Sequence, residues 1–94
     1  MTDDHHQLHA IVKGRVQGVN FRYYTMMRAS ELRVTGWVRN LPERAVEVTA
    51  EGTRAQLEQL LMFLHQGPPS AHVTGVEVEW RAASHKNSDF EITG

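Results

Sequence analysis

The sequence predicts an α+β domain in which two helices pack on one face of an antiparallel sheet, in the order β-α-β-β-α-β with a short extra C-terminal strand. The prediction depends on two segments with helical periodicity, several short strand-like segments, and a length of 94 residues, which suits one domain over 1–94. Two amphipathic helices need one shared apolar surface, and a sheet that is open to water on its other side supplies it.

The first half of the chain contains a strand, a loop, a helix and a hairpin. Residues 8–13 mix apolar and polar side chains in a pattern that suits a strand. A loop with two glycines follows at 14–20, and residues 21–32 then lack glycine and proline and place Phe21, Thr25, Ala29 and Leu32 at helical spacing. Short strands are predicted at 36–39 and 46–51, and their closeness in the chain indicates a hairpin.

The second half contains the clearest helix signal. Thr53 and Gln56 have the spacing of a capping box, an apolar stripe runs from Leu57 to Leu64, and Gly67 with two prolines ends the helix. Residues 76–80 alternate as a strand, and Phe90 and Ile92 belong to a short last strand. This order is the split β-α-β, or ferredoxin-like, arrangement. The arrangement occurs with many unrelated functions, so it does not identify the chemistry.

Composition narrows the class of protein. The formal charge is −1, there is no cysteine, and no apolar run approaches the length of a membrane span. We therefore expect a cytoplasmic protein that binds neither nucleic acid nor membrane, and the lack of cysteine excludes thiolate metal sites. A monomer without a metal or other cofactor is a further expectation that does not follow from composition. Residues 1–7 are expected to be a flexible tail, and His5, His6 and His9 to be solvated residues rather than metal ligands.

The segment at residues 14–22 is the best candidate for a functional site. A strand runs into a loop with two glycines, and the loop leads into a helix. Glycine permits backbone conformations in which successive N–H groups point into one hollow, and the start of a helix adds partial positive charge there. Arg22 lies in the first helical turn, where a cation is unfavourable unless an anion compensates it. An anion site is one interpretation, and an ordinary strand-to-helix turn is the other.

Two motifs resemble signatures of one enzyme family. The run Gly14-Arg15-Val16-Gln17-Gly18-Val19-Asn20-Phe21-Arg22 resembles the first signature of the acylphosphatase family, and Gly36-Trp37-Val38-Arg39-Asn40 resembles the second. The resemblance covers residues 8–92. It implies the ferredoxin-like fold and the hydrolysis of acyl phosphates to a carboxylate and inorganic phosphate.

The resemblance also implies a role for each site residue. Arg22 would bind the phosphate, and Asn40 would orient the attacking water. The phosphate would be cradled by the backbone amides of six loop residues: Arg15, Val16, Gln17, Gly18, Val19 and Asn20.

Two residues depart from the family pattern. Arg33, at the helix end, and Arg44, in the hairpin turn, stand where the family usually has glycine. A residue other than glycine costs about 1–2 kcal/mol at positive φ, so we expect at least one of these turns to have rearranged. Pro42 favours an opened hairpin loop in which Arg44 has an ordinary negative φ.

Two alternative functions stay open at this level. A non-catalytic module that binds phosphate or another anion would use the same loop without turnover. An RNA-binding domain of the same fold class would need paired aromatic residues and basic residues on its central strands, a pattern that this chain lacks. Hydrolysis of a simple acyl phosphate distinguishes an enzyme from an anion-binding module.

Overall fold

The computed structural model describes residues 4–94. Its elements are β1 (His5–Arg15), α1 (Phe21–Leu32), β2 (Thr35–Leu41), β3 (Ala45–Thr53), α2 (Arg54–Gln66), β4 (His72–Ala82) and β5 (Phe90–Ile92). The predicted order and fold class are confirmed. The strands extend beyond their apolar patterns because backbone pairing continues through polar residues.

The five strands form one sheet in the order β4-β1-β3-β2-β5. β1 pairs antiparallel with β3 and with β4, and β2 pairs antiparallel with β3. β5 is parallel to β2, so the sheet is mixed, which corrects the prediction of an antiparallel sheet. The parallel pair arises because residues 83–89 carry the chain from the β4 edge of the sheet to the opposite edge.

The start of β1 corrects the prediction of a flexible tail over residues 1–7. His5, His6 and Gln7 pair with Thr53, Gly52 and Glu51 of β3, and residues 1–3 lie outside the described residues. His9 is not a solvated residue either, since its Nε2 lies 2.7 Å from Oε2 of Glu47. The polar composition of this segment predicted a solvated tail. The neighbouring strand β3 instead offers backbone partners and the carboxylate of Glu47.

The core lies between the helices and one face of the sheet. Alternate residues of the central strands are fully buried there: Leu8, Ala10, Val12, Val38, Val46, Val48 and Ala50. Three leucines of α2, Leu57, Leu60 and Leu64, are fully buried against them. Removing this apolar surface from water is the main stabilising term. α1 buries the smaller residues Thr25 and Ala29 below Phe21, so its packed stripe is narrow.

The turns at Arg33 and Arg44 both keep a positive φ, so the prediction that at least one of them has rearranged is wrong. Arg33 has φ 61°, and Arg44 has φ 62° beside Glu43 at 67°, so the prediction of a negative φ at Arg44 is wrong. At Arg33 this conformation lets its N–H donate to the Ser30 carbonyl at the end of α1. In the hairpin, Leu41 pairs with Ala45, and this pairing holds the turn in its strained form. The cost at each arginine is small compared with the tertiary structure around it.

The segment between β4 and β5 is held by a buried carboxylate. Glu51 of β3 is 4% exposed and accepts hydrogen bonds from the backbone N–H and hydroxyl of Ser84, from the N–H of His85 and from Gln7. Burial alone would raise the pKa of Glu51, but these donors outweigh it and lower the pKa to about 2. The anchor fixes the path that brings β5 to β2.

Candidate active site

A cavity of about 230 Å³ opens where the loop at residues 16–20 meets the start of α1. Its wall comes from three parts of the chain: the loop and first turn of α1, the end of β2, and β5. The lining residues are Val16, Gly18, Asn20, Phe21, Arg22, Tyr23, Asn40 and Ile92. The fold therefore brings Arg22 and Asn40, 18 positions apart in the sequence, to one site.

The start of α1 is left without a side-chain cap. Asn20 occupies the cap position in a left-handed conformation, with φ 61°, and its side chain makes no capping hydrogen bond. No acidic residue lies in the first turn. Within the described residues, the backbone N–H groups at positions 17–20 donate to no backbone carbonyl. Uncapped N–H groups at a helix start attract an anion.

Arg22 lies in this first turn and is half-buried. In the part of the chain that the structure describes, its guanidinium has no carboxylate or hydrogen-bond partner. A cation at the positive end of a helix is electrostatically unfavourable. The planar group is thus available to bind two oxygens of a phosphoryl group that enters the cavity.

Asn40 lies opposite, near the end of β2. Its Oδ1 is buried and has no hydrogen-bond partner among the described residues. A buried acceptor without a partner costs about 1–3 kcal/mol, so such atoms are rare. The carbonyl oxygen is available to accept a hydrogen bond from a water molecule or ligand inside the cavity.

The remaining predicted loop residues lie around the cavity in different ways. Val16, Gly18 and Asn20 line it directly, and the positive φ of Gly18, 75°, suits the turn of the loop. Arg15 lines a neighbouring cavity, and Val19 packs partly against the core. These two side chains do not line the site. The resemblance implies a role only for their backbone amides, so this placement does not conflict with it.

Gln17 connects the loop to the β2–β3 hairpin. Its Nε2 donates to the carbonyl of Leu41 at 2.6 Å and to that of Ala45 at 2.8 Å. Leu41 follows Asn40 directly, so this contact fixes the end of β2 relative to the loop. The side chain of Gln17 thus acts on the geometry of the site from outside the cavity.

Sequence reasoning missed three residues of the cavity wall: Phe21, which is 1% exposed, Tyr23 and Ile92. Tyr23 follows Arg22 and is 49% exposed at the cavity wall, and Ile92 of β5 is 40% exposed. The position of Tyr23 beside Arg22 was a usable signal. No local signal indicates Ile92, because only the parallel pairing of Val38 with Ile92 places it there.

The described residues hold neither a metal-binding cluster nor a membrane-spanning helix. Among residues 4–94, no three histidine, aspartate or glutamate side chains lie close enough together to hold a metal ion. Neither described helix is long and apolar enough to cross a membrane. His9 instead bonds to Glu47, and Arg39 donates to the same carboxylate at 2.7 Å.

The fold and the cavity define an α+β domain whose loop and helix start line a hollow that can accept an anion. Comparison with known proteins is more specific. The model of the acylphosphatase family matches residues 8–92. An acylphosphatase of Chloroflexus aurantiacus is 46% identical over 89% of this chain and 91% of its own length, and one of Methylococcus capsulatus is 44% identical over 92% and 94%.

A solved structure agrees with these sequence matches. The crystal structure of acylphosphatase from Bacillus subtilis superimposes with a TM-score of 0.91 at 35% identity, covering 95% of this chain and 99% of the other. The chain belongs to the acylphosphatase family, and the resemblance of its two signatures is confirmed.

Proposed function

We propose that the chain hydrolyses the carboxyl–phosphate bond of acyl phosphates in the cavity around Arg22 and Asn40. The products are a carboxylate and inorganic phosphate. One observation carries this proposal: the unpartnered Arg22 and the buried, unpartnered Oδ1 of Asn40 line the same cavity. The family supports the reaction, and the residue roles below are our assignments.

Arg22 and the loop amides bind the phosphoryl group. The guanidinium donates two parallel hydrogen bonds to phosphoryl oxygens, and the N–H groups of the loop at positions 15–20 donate to the others. These donors are fixed by the fold before substrate arrives, so little reorganisation is needed as charge shifts in the transition state. The partial positive charge at the start of α1 adds to the same field.

Asn40 positions the nucleophile. Its Oδ1 accepts a hydrogen bond from a water molecule and holds that water in line with the bond that breaks. A water molecule bound there also gives the buried oxygen its missing partner. The otherwise unfavourable burial of this acceptor is therefore explained by catalysis.

The leaving group needs no general acid. A carboxylic acid has a pKa near 4, so the carboxylate departs ionised at neutral pH. We therefore expect turnover to be nearly flat between about pH 5.5 and 8, and insensitive to chelators. A bell-shaped profile centred near the pKa of histidine would contradict this assignment of roles.

Release of phosphate from benzoyl phosphate, with and without a chelator, tests the proposal directly. Turnover that survives the chelator supports a metal-independent hydrolase. Binding of inorganic phosphate without turnover would support the non-catalytic anion-binding module instead. No observation on the described residues favours that module over the enzyme.

We also propose that the enzyme acts as a cytoplasmic monomer. In support of the monomer, Arg22, Asn40 and the loop amides supply every group that the proposed reaction uses, so no group from a second copy is required. Size-exclusion chromatography at the concentrations used for the assay tests the oligomeric state.

A further inference from the structure

A second cavity, of about 330 Å³, lies beside the proposed phosphate site and is lined by two arginines. Its wall is formed by Gly14, Arg15, Val16, Gln17 and Arg44. Val16 lines both cavities and is 1% exposed, so the two hollows are neighbours on either side of one buried residue. A molecule that fills the phosphate site has this cavity within reach.

The charge of this cavity is not compensated by the protein. The described residues of its wall include no carboxylate. In the described part of the chain, neither Arg15 nor Arg44 has an ion pair or a side-chain hydrogen bond, whereas Arg28, Arg39, Arg54 and Arg81 each contact a glutamate. Two guanidinium groups around one hollow repel each other unless an anion lies between them. The arrangement therefore favours a negatively charged occupant.

The hairpin fixes the position of Arg44 at this cavity. Arg44 keeps a φ of 62° in a turn where glycine would avoid a cost of about 1–2 kcal/mol. Gln17 fixes the hairpin that carries Arg44 against the loop, by bonds to Leu41 and Ala45 at its two strand ends. The turn and these bonds therefore hold the backbone of Arg44 in one conformation at the cavity wall.

The other side of the hairpin differs in charge. A larger cavity there is lined by Glu43, Arg44 and the ion pair between Lys13 and Glu77, whose atoms lie 2.8 Å apart. Its two carboxylates oppose the entry of an anion. Only the side that faces residues 14–17 combines two cations with the neighbouring phosphate site.

We propose that the cavity between Arg15 and Arg44 binds a second anionic group on the acyl part of the substrate. The inference rests on the proposed function and narrows its substrate class to acyl phosphates that carry a further carboxylate or phosphate. With the phosphoryl group on Arg22, the acyl chain passes Val16 and places its distal anion between the two arginines. Arg44 then contributes to specificity without touching the reacting atoms.

Two substrates of equal chain length test this inference. Adipoyl monophosphate and hexanoyl phosphate both have six carbons, and only the first carries a distal carboxylate. The measured quantity is kcat/KM for adipoyl monophosphate divided by kcat/KM for hexanoyl phosphate. This ratio is determined for the wild type and for Arg44→Asn. Asparagine tolerates positive φ, so this variant removes the charge and keeps the turn.

Arg33→Asn is the matched control. Arg33 has φ 61° and no ion pair among the described residues, so the change in charge and in backbone strain is the same. It follows the last residue of α1, and a helix of 12 residues places it about 18 Å from the site at the helix start. A general effect of net charge would appear in both variants.

We expect Arg44→Asn to lower the ratio about ten-fold, as for loss of a hydrogen bond to a charged group, with kcat/KM for hexanoyl phosphate unchanged. Arg33→Asn is expected to leave the ratio as in the wild type. An unchanged ratio in Arg44→Asn, an equal loss with both substrates, or an equal fall of the ratio in Arg33→Asn would overturn the inference. If the wild type hydrolyses none of the three compounds, adipoyl monophosphate, hexanoyl phosphate and benzoyl phosphate, the proposed function is overturned instead.

Discussion

The two helices of this chain begin in opposite ways. α2 begins with a complete capping box: Oγ1 of Thr53 accepts from the N–H of Gln56 at 3.2 Å, and Oε1 of Gln56 accepts from the N–H of Thr53 at 2.8 Å. α1 begins with Asn20 in a left-handed conformation and no side-chain cap. One helix start is closed by its own residues, and the other is open to the cavity.

The arginines of the two first turns differ in the same way. Arg54 of α2 lies 3.6 Å from the ring centroid of Trp80 and donates to Glu58 at 3.2 Å. Among residues 4–94, Arg22 of α1 has neither a ring contact nor a carboxylate partner. A helix start with unsatisfied donors beside a cation is unfavourable for folding alone, and the proposed binding of a phosphoryl group there would offset this cost.

Arg22→Lys is expected to have the largest effect, because it changes the cation at the open helix start. Lysine keeps the charge and loses the two-pronged contact, so turnover of benzoyl phosphate is expected to fall at least about 10²-fold. Competitive inhibition by inorganic phosphate is expected to weaken in the same variant. Arg54→Lys, the matched change in the first turn of α2, is expected to leave turnover unchanged. Near-wild-type turnover by Arg22→Lys would contradict the role of Arg22 in binding the phosphoryl group.

Asn40→Ala extends the comparison to the strand that faces α1. We expect a loss in kcat on the order of 10²-fold, as for removal of one positioning hydrogen bond, with inhibition by phosphate retained. Because Oδ1 of Asn40 has no hydrogen-bond partner among the described residues, the free energy of unfolding is not expected to fall. Loss of phosphate binding in this variant would assign Asn40 to the cradle instead.

Thr53→Ala opens the closed helix start. Loss of the capping hydrogen bond is expected to lower the free energy of unfolding by about 1 kcal/mol, measured by urea denaturation, without change in turnover. Asn20→Gly is the counterpart on α1. It loses no cap and suits a φ of 61°, so it is expected not to lower stability. A larger loss at Asn20 than at Thr53 would mean that the α1 start is capped after all.

Arg33→Gly compares the other ends of the helices and has the smallest expected effect. α2 ends at Gly67 with φ 70°, whereas α1 ends at Arg33 with φ 61°. Glycine relieves about 1–2 kcal/mol of strain and loses about 0.4–1 kcal/mol through the greater entropy of the unfolded chain. The melting temperature should therefore rise slightly, and a lower value would show that Arg33 is not strained.

Local signals were sufficient for some of these features. The start of α2 was predicted because a capping box is encoded by two residues three positions apart. The order of elements followed from periodicity, and the candidate loop at residues 14–20 followed from glycines between a strand and a helix. In each case the physical cause lies within a few neighbouring residues.

Other features depend on contacts between distant residues. Arg33 and Arg44 keep positive φ because surrounding structure outweighs a local preference of only about 1–2 kcal/mol. The burial of Glu51 depends on donors at Ser84 and His85, more than 30 positions away. Ile92 lies at the site because β5 pairs with β2, and no local sequence pattern predicts this pairing.

The position of β5 has a consequence for the order of events in folding. The cavity draws on residues from Val16 to Ile92, and β5 is fixed by the hydrogen bonds from Gly36 to Asp89 and from Thr93 to Val38, both 2.9 Å long. Contacts between such distant positions close late, because the intervening chain must be ordered first. During refolding, enzymatic activity should therefore return only after the helical signal is complete, so recovered turnover reports the last step of assembly.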